Sequence, residues 1–103
     1  MPSDTGPREG ADDDRLSLRL FVGGASPRSL RAIAAVRQLC ELARGGRYDL
    51  EVVDIFRDPE ATRRDQIVAV PTLLRIAPVP KRLLIGDMTE SSSLAAGLGL
   101  AHG

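Results

Sequence analysis

One cysteine and one histidine occur in this sequence, and either could in principle take part in catalysis. Cys40 falls on the apolar stripe of a helical pattern, which favours a buried small side chain over a redox or glutathionylation site. Thiol–disulfide exchange also needs a second thiol. His102 lies next to the C-terminus, where a catalytic group would lack a fixed position. With no nucleophile–base pair in view, we expect a protein that is not an enzyme.

Two further features of the sequence could have either a chemical role or a purely structural one. The hydroxyl of Ser26 could stabilise a bound glutathione thiolate at a helix N-terminus. An ordinary helix N-cap, with Pro27 in the first helical position, explains the same residue and is favoured. The run Asp12-Asp13-Asp14 could mimic a metal site, but adjacent carboxylates in a tail lack preorganisation. We therefore expect neither a metal nor a cofactor.

Composition narrows the class of protein. The chain has 103 residues, enough for one domain, and we predict a disordered acidic tail over 1–15 and a single domain over 16–103. Aromatic residues are only 3% and the formal net charge is +0, which argues against binding to nucleic acid or an anionic membrane. Neither a signal peptide nor an apolar run long enough to span a bilayer is evident, so the cytoplasm is the expected location.

Periodicity predicts an α/β fold. Leucines alternate with polar residues from Leu16 to Val22, which is typical of a strand, and a helix should run from Pro27 to about Arg44. The other predicted elements are strands over 48–55, 72–76 and 82–85, a short helix over 59–66 with Asp58 as its N-cap, and a weak helix over 90–100. The order β-α-β-α-β-β-α is that of thioredoxin.

One motif supports this fold and separates the chain from redox enzymes. The segment Val70-Pro71-Thr72-Leu73 resembles the entry to the central hairpin of thioredoxin-like proteins, where the proline is usually cis and faces the first helix. Redox members begin that helix with Cys-x-x-Cys. Here the matching place reads Gly23-Gly24-Ala25-Ser26-Pro27-Arg28. The sequence thus predicts a thioredoxin-like scaffold without its nucleophile, as in a binding or regulatory module.

From about Leu16 to Leu100 the chain resembles the KaiB family of clock proteins. The most specific segments are Leu18 to Pro27, Val53-Asp54-Ile55 with Asp58-Pro59, Ala69 to Leu73, and Pro78 to Asp87. The resemblance implies a non-enzymatic regulator that binds a KaiC-type ATPase in a circadian-clock or timing and stress system. It also implies KaiA or a KaiC-linked histidine kinase as further partners, and partner binding through the basic residues Arg31, Arg75 and Arg82.

The family also implies a metamorphic chain. Its ground state keeps the N-terminal half but has the order β-α-β-β-α-α-β and forms a tetramer or dimer, while a thioredoxin-like monomer binds the ATPase. The chain departs from cyanobacterial members at Glu51, Gln66 and Leu83, where they have basic residues. We therefore expect a divergent or non-cyanobacterial member.

Five positions are predicted to take part in such a fold switch. Pro71, Pro78 and Pro80 form three X-Pro bonds within eleven residues, and in an unconstrained chain cis and trans differ by only ~0.5–1 kcal/mol. Gly97 and Gly99 weaken the last helix. Replacing either glycine by alanine is expected to favour the state in which this segment is helical. A single thioredoxin-like fold with a loosely held last helix is the simpler alternative.

Two other functions stay open at this point. The first is a glutathione-binding or glutaredoxin-like enzyme that uses Ser26 and the loop at Pro71. The second is a generic thioredoxin-like adaptor for another protein. A glutathione-binding assay separates the first from a regulator, and identification of the bound partner separates the second.

Overall fold

A computed structural model of the chain describes residues 15–86, 88 and 91–99, and it shows a mixed α/β fold. The elements are β1 (Leu16–Val22), α1 (Pro27–Arg44), β2 (Tyr48–Asp54), α2 (Pro59–Arg64), β3 (Thr72–Ala77), β4 (Arg82–Ile85) and α3 (Ser91–Leu98). The predicted thioredoxin-like order is confirmed, and the alternative order β-α-β-β-α-α-β is not the one present. Apart from Arg15, the predicted tail over 1–15 lies outside the described residues, as does His102.

Local chemistry sets the ends of the long helix α1. The Ser26 hydroxyl accepts a hydrogen bond from the Ser29 backbone N–H at 3.2 Å, and Pro27 occupies the first turn, where its missing N–H costs nothing. Gly45 ends the helix at φ 60°, a conformation that glycine adopts without the steric penalty of a side chain. The prediction of Ser26 as an N-cap is confirmed.

The sheet has the strand order β2-β1-β3-β4. The strands β1 and β2 are parallel and joined through α1, whereas β3 is antiparallel to both β1 and β4. Because β1 is central and paired on both sides, its backbone polar groups find partners within the sheet. Strand β4 is an edge strand of four residues.

Each face of the sheet packs against different elements. On the first face, the leucines of β1 contact buried residues of α1 and α3 in one cluster, which includes Val36, Cys40, Leu94 and Leu98. On the second face, a smaller cluster of buried residues includes Phe21, Val53, Ala61 and Leu74. The short α2 supplies Ala61 to this second cluster, so the second face has much less helical cover than the first.

Gly97 lies where α3 approaches β4 closely. A Cβ atom built on Gly97 would overlap Cδ2 of Leu84 and lie 3.0 Å from its Cγ, although Gly97 is within the helix. Gly99 has φ +75°, where an alanine is strained. In this packing the contact with Leu84 and the backbone angle of Gly99 oppose alanine, so the effect of alanine at these positions on the helical state stays a prediction.

We predict that Gly97→Ala destabilises this arrangement by about 1–3 kcal/mol, although Gly→Ala within a helix ordinarily gains up to ~1 kcal/mol. Urea unfolding of the purified variants measures the change. Gly46→Ala is the matched control, since a Cβ there meets nothing within 4 Å and should change stability little. Adding Leu84→Ala should make the Gly97→Ala cost smaller by removing the overlapping side chain. A stabilised Gly97→Ala single variant would contradict the packing described here.

Candidate partner-binding surface

The three predicted partner-binding arginines occupy different environments. Arg31 is exposed on α1, and Arg82 is exposed at the start of the edge strand β4. Arg75 is only 6% exposed, within β3. Arg75 and Arg82 are direct cross-strand neighbours. Arg31 and Arg82 are therefore available at the surface, whereas Arg75 is buried in the strand next to Arg82.

The buried guanidinium of Arg75 joins separate parts of the C-terminal half. One terminal nitrogen, Nη1, donates to the carbonyl oxygen of Leu98 at 3.1 Å, at the last residue of α3. The other, Nη2, donates to the carbonyl oxygen of Pro80 at 2.8 Å, in the loop before β4. Helix C-terminal carbonyls lack intrahelical partners and favour a cation, so Arg75 satisfies the end of α3. It thereby ties α3 and the β3–β4 loop to β3.

This junction has an unbalanced positive charge. Within the described ranges, no carboxylate forms an ion pair with Arg75, and its Nε–H is buried without a hydrogen-bond partner. Burial, followed by the charge of Arg82, lowers the pKa of Arg75. Like charges directly opposite one another across a sheet are unfavourable. An anion brought to Arg82 from outside would therefore relieve this repulsion.

The hydroxyls at the N-terminus of α1 are engaged within the protein. The Ser26 hydroxyl donates to Ser29 Oγ at 3.0 Å, and Ser29 Oγ accepts from the Gly23 N–H at 3.2 Å. Ser26 and Pro71 both line a small cavity of about 200 Å³. The Val70–Pro71 peptide is cis, as predicted. The place of the redox motif thus holds an internal hydroxyl pair without a thiol.

Asp54 is a positioning residue whose role the sequence did not reveal. Its Oδ1 accepts hydrogen bonds from the backbone N–H of Gly24 at 3.2 Å and of Phe56 at 3.0 Å. The carboxylate therefore joins the turn after β1 to the end of β2. A carboxylate at the end of an apolar strand was the available signal, but its backbone partners depend on how two strands align.

Cys40 is 0% exposed and packs in the first-face cluster. Burial raises the pKa of its thiol to about 11, so the reactive thiolate is scarce at neutral pH. The interpretation of Cys40 as a buried small side chain is confirmed.

An ion-pair network on the second face was not predicted. Arg19 donates from Nε to Glu51 at 2.9 Å and from Nη1 to Asp65 at 2.8 Å, which links β1, β2 and the end of α2. Burial alone would raise the pKa of Asp65, but the hydrogen bonds and charges of Arg19 and Arg64 hold it below its ordinary value. Arg19 occupies a polar position in an alternating strand. From the sequence alone, such a residue is equally well explained as one that faces solvent.

A second concave surface lies beside this network. It has a volume of about 370 Å³ and is lined by Arg64, Asp65, Gln66, Leu74, Lys81, Arg82 and Leu83, which together we call the basic groove. Its described lining residues include three cations and one carboxylate. It joins Arg82 to the second face of the sheet.

Comparison with known proteins places these observations in a family. A model of the KaiB domain matches residues 19–100. The circadian clock oscillator protein KaiB of Synechococcus elongatus is 36% identical over 86 residues, covering 84% of each chain. A KaiB of Prochlorococcus marinus is 39% identical over 83 residues, covering 81% of this chain and 79% of the relative.

Solved structures give the same fold. The N-terminal domain of Synechococcus elongatus SasA superposes with a TM-score of 0.68 at 25% identity, covering 86% of this chain and 88% of that domain. Thioredoxin of Fasciola hepatica superposes with a TM-score of 0.67 at 16% identity, covering 87% of this chain and 84% of that one, and this likeness concerns the fold alone. Among the described residues, no helix is long and apolar enough to cross a membrane.

We predict that Arg75→Met lowers the free energy of unfolding by about 2 kcal/mol, because the buried contact to the Leu98 carbonyl and the partly buried contact to the Pro80 carbonyl lose a charged donor. Denaturant unfolding measures the loss, and hydrogen exchange should show it concentrated in β4 and α3. Arg37→Met, an exposed arginine of α1, is the control and should change stability little. Equal stability of the Arg75→Met and Arg37→Met proteins would show that the two carbonyl contacts do not hold the C-terminal half.

Proposed function

Because this chain belongs to the KaiB family, we propose that it is a non-enzymatic regulator that binds a KaiC-type ATPase in a circadian-clock or timing system. The observation on which this proposal rests is the KaiB-domain match over residues 19–100, together with curated relatives named as clock oscillator proteins. The ATPase is proposed as the partner because the family resemblance implies it.

The geometry supports contact through the thioredoxin-like arrangement described above, with the chain acting as a monomer in the complex. Arg31 and Arg82 are exposed and offer charge to an acidic surface. Exposed charges of this kind mainly increase the rate of association and select the partner. Arg75 would contribute indirectly. It donates a hydrogen bond to the Pro80 carbonyl and so fixes the loop that leads into β4.

Binding at Arg82 would also stabilise this arrangement. A partner carboxylate at Arg82 would offset the repulsion that Arg75 and Arg82 exert on each other across β3 and β4. A ligand shifts a conformational equilibrium by its differential affinity for the two states. The proposed ATPase would thus favour the conformation in which α3 packs on β4, relative to the other packing that the family implies for Pro71, Pro78, Pro80, Gly97 and Gly99.

Further partners and assemblies follow from the same resemblance. KaiA or a KaiC-linked histidine kinase is proposed as a further partner, and a homo-oligomer as the form without the ATPase. The likeness to the SasA N-terminal domain supports a shared scaffold for clock proteins. The glutathione-binding alternative has less support, because Ser26 and Ser29 hydrogen-bond to each other and Cys40 is buried.

We predict that the double variant Arg31→Glu/Arg82→Glu binds the host's KaiC-type ATPase at least 10-fold more weakly, with a reduced dependence on salt. The measurement is co-purification and titration against the ATPase, with and without ATP. Arg37→Glu, another exposed arginine on α1 six residues further along, is the control for net charge and should bind nearly as the unmodified chain does.

Unchanged affinity of the double variant, with binding retained by the unmodified chain, would place the interface elsewhere. No binding by any form, with or without ATP, would overturn the proposed partner itself. Circular dichroism of each variant checks that the fold is intact.

A further inference from the structure

Part of the second face of the sheet lacks cover from the described residues. The helix α2 has only six residues. On β4, Leu83 is 49% exposed and Ile85 is 59% exposed, although both pair with buried residues of β3. Leu83 pairs with the buried Leu74, and both line the basic groove. The groove thus has an apolar floor beside the edge strand.

The rim of this groove is positive. Arg64, Lys81 and Arg82 are all exposed. Asp65, the one carboxylate among the described lining residues, is bonded to Arg19 at 2.8 Å and lies 3.5 Å from Arg64, so its charge is already shared by two arginines. Lys81 and Arg82 lie together at the start of β4. A ligand that complements this rim would be anionic.

The chain itself supplies an acidic segment directly before β1 in the sequence. Asp12-Asp13-Asp14 immediately precedes Arg15, the first described residue before β1. At this end of the sheet, Ser17 of β1 pairs with Ala77 of β3, and the loop after Ala77 leads into β4 at Arg82. Strands lie ~4.8 Å apart, so β1 and β4 are separated by about 10 Å. Arg82 pairs with Arg75, which pairs with Leu18, so Arg82 also lies three residues, or ~10 Å, along the strand direction from Arg15. Three extended residues together with the long side chains of Lys81 and Arg82 cover the resulting diagonal.

We propose that the segment 12–14 of the same chain docks on the rim of the basic groove, with its carboxylates against Lys81 and Arg82. Covalent attachment makes this contact intramolecular, and short flexible tethers give effective concentrations in the millimolar range. The contact is populated when the ion pairs of the segment together reach an affinity in that range. The docked segment would cover Arg82, and if the proposed function holds, it would compete with the ATPase for that residue.

Paramagnetic relaxation tests the contact without any partner. A nitroxide is attached to the introduced cysteine of a Gly10→Cys variant. Cys40 does not compete for the label, because it is buried and its thiol has a pKa of about 11. We expect selective loss of the amide signals of Leu83 and Ile85. Leu42, an exposed leucine of α1, is the internal reference and should keep its signal.

Two changes should abolish that selectivity. Replacing the three aspartates by asparagine removes the charge of the segment, and Lys81→Glu reverses one charge of the rim. Raising the salt to 1 M should have the same effect, because the screening length falls to about 3 Å. Arg37→Glu, which alters net charge away from the groove, should leave the pattern unchanged.

Three results would overturn the inference. One is equal attenuation at Leu83 and Leu42. Another is selective attenuation that survives the three asparagine substitutions. The third is attenuation of an isotope-labelled chain by a separate spin-labelled chain, which would assign the contact to a second copy. Failure of ATPase binding would refute the proposed function but leave this test unaffected.

Discussion

The C-terminal half of this protein depends on one buried guanidinium. Arg75 reaches the end of α3 and the loop before β4 from the strand between them, through the carbonyls of Leu98 and Pro80. Among the described residues no carboxylate pairs with this buried cation, and carbonyl dipoles and a helix C-terminus support it instead. In the N-terminal half, by contrast, the helix α1 is capped locally and the central strand β1 is paired on both sides.

This division relates structure to the proposed function. A regulator that changes partners or packing benefits from one rigid half and one half of modest stability, since segments that rearrange are drawn from the less stable parts of a fold. The exposed Arg82 lies directly across from Arg75 on the neighbouring strand. A partner carboxylate bound to Arg82 would therefore also reduce the electrostatic repulsion that Arg75 experiences. Recognition and the stability of the C-terminal half would thus be coupled through a single cross-strand pair.

The sequence predicted the elements well because their signals are local. Alternating leucines in β1, the cap at Ser26 and the glycine stop after α1 each depend on neighbours in the chain. It did not predict the burial of Arg75, because a basic residue in a strand normally faces solvent and only the packing of α3 covers this one. The close approach of Gly97 to Leu84 was not predicted for the same reason, since Leu84 belongs to a different element. The network around Arg19 likewise depends on strand register.

Under the proposed function, the thioredoxin-like arrangement is the form of the protein that binds the ATPase. Methyl nuclear Overhauser effects in the ATPase-bound protein test it most directly, since Leu84 of β4 packs against a cluster that includes Leu94 and Leu98 of α3. The account predicts contacts between Leu84 and these two leucines in the complex. Their absence, with contacts between Leu20 and Val36 retained in the N-terminal half, would show that the ATPase binds a different packing and would contradict the account.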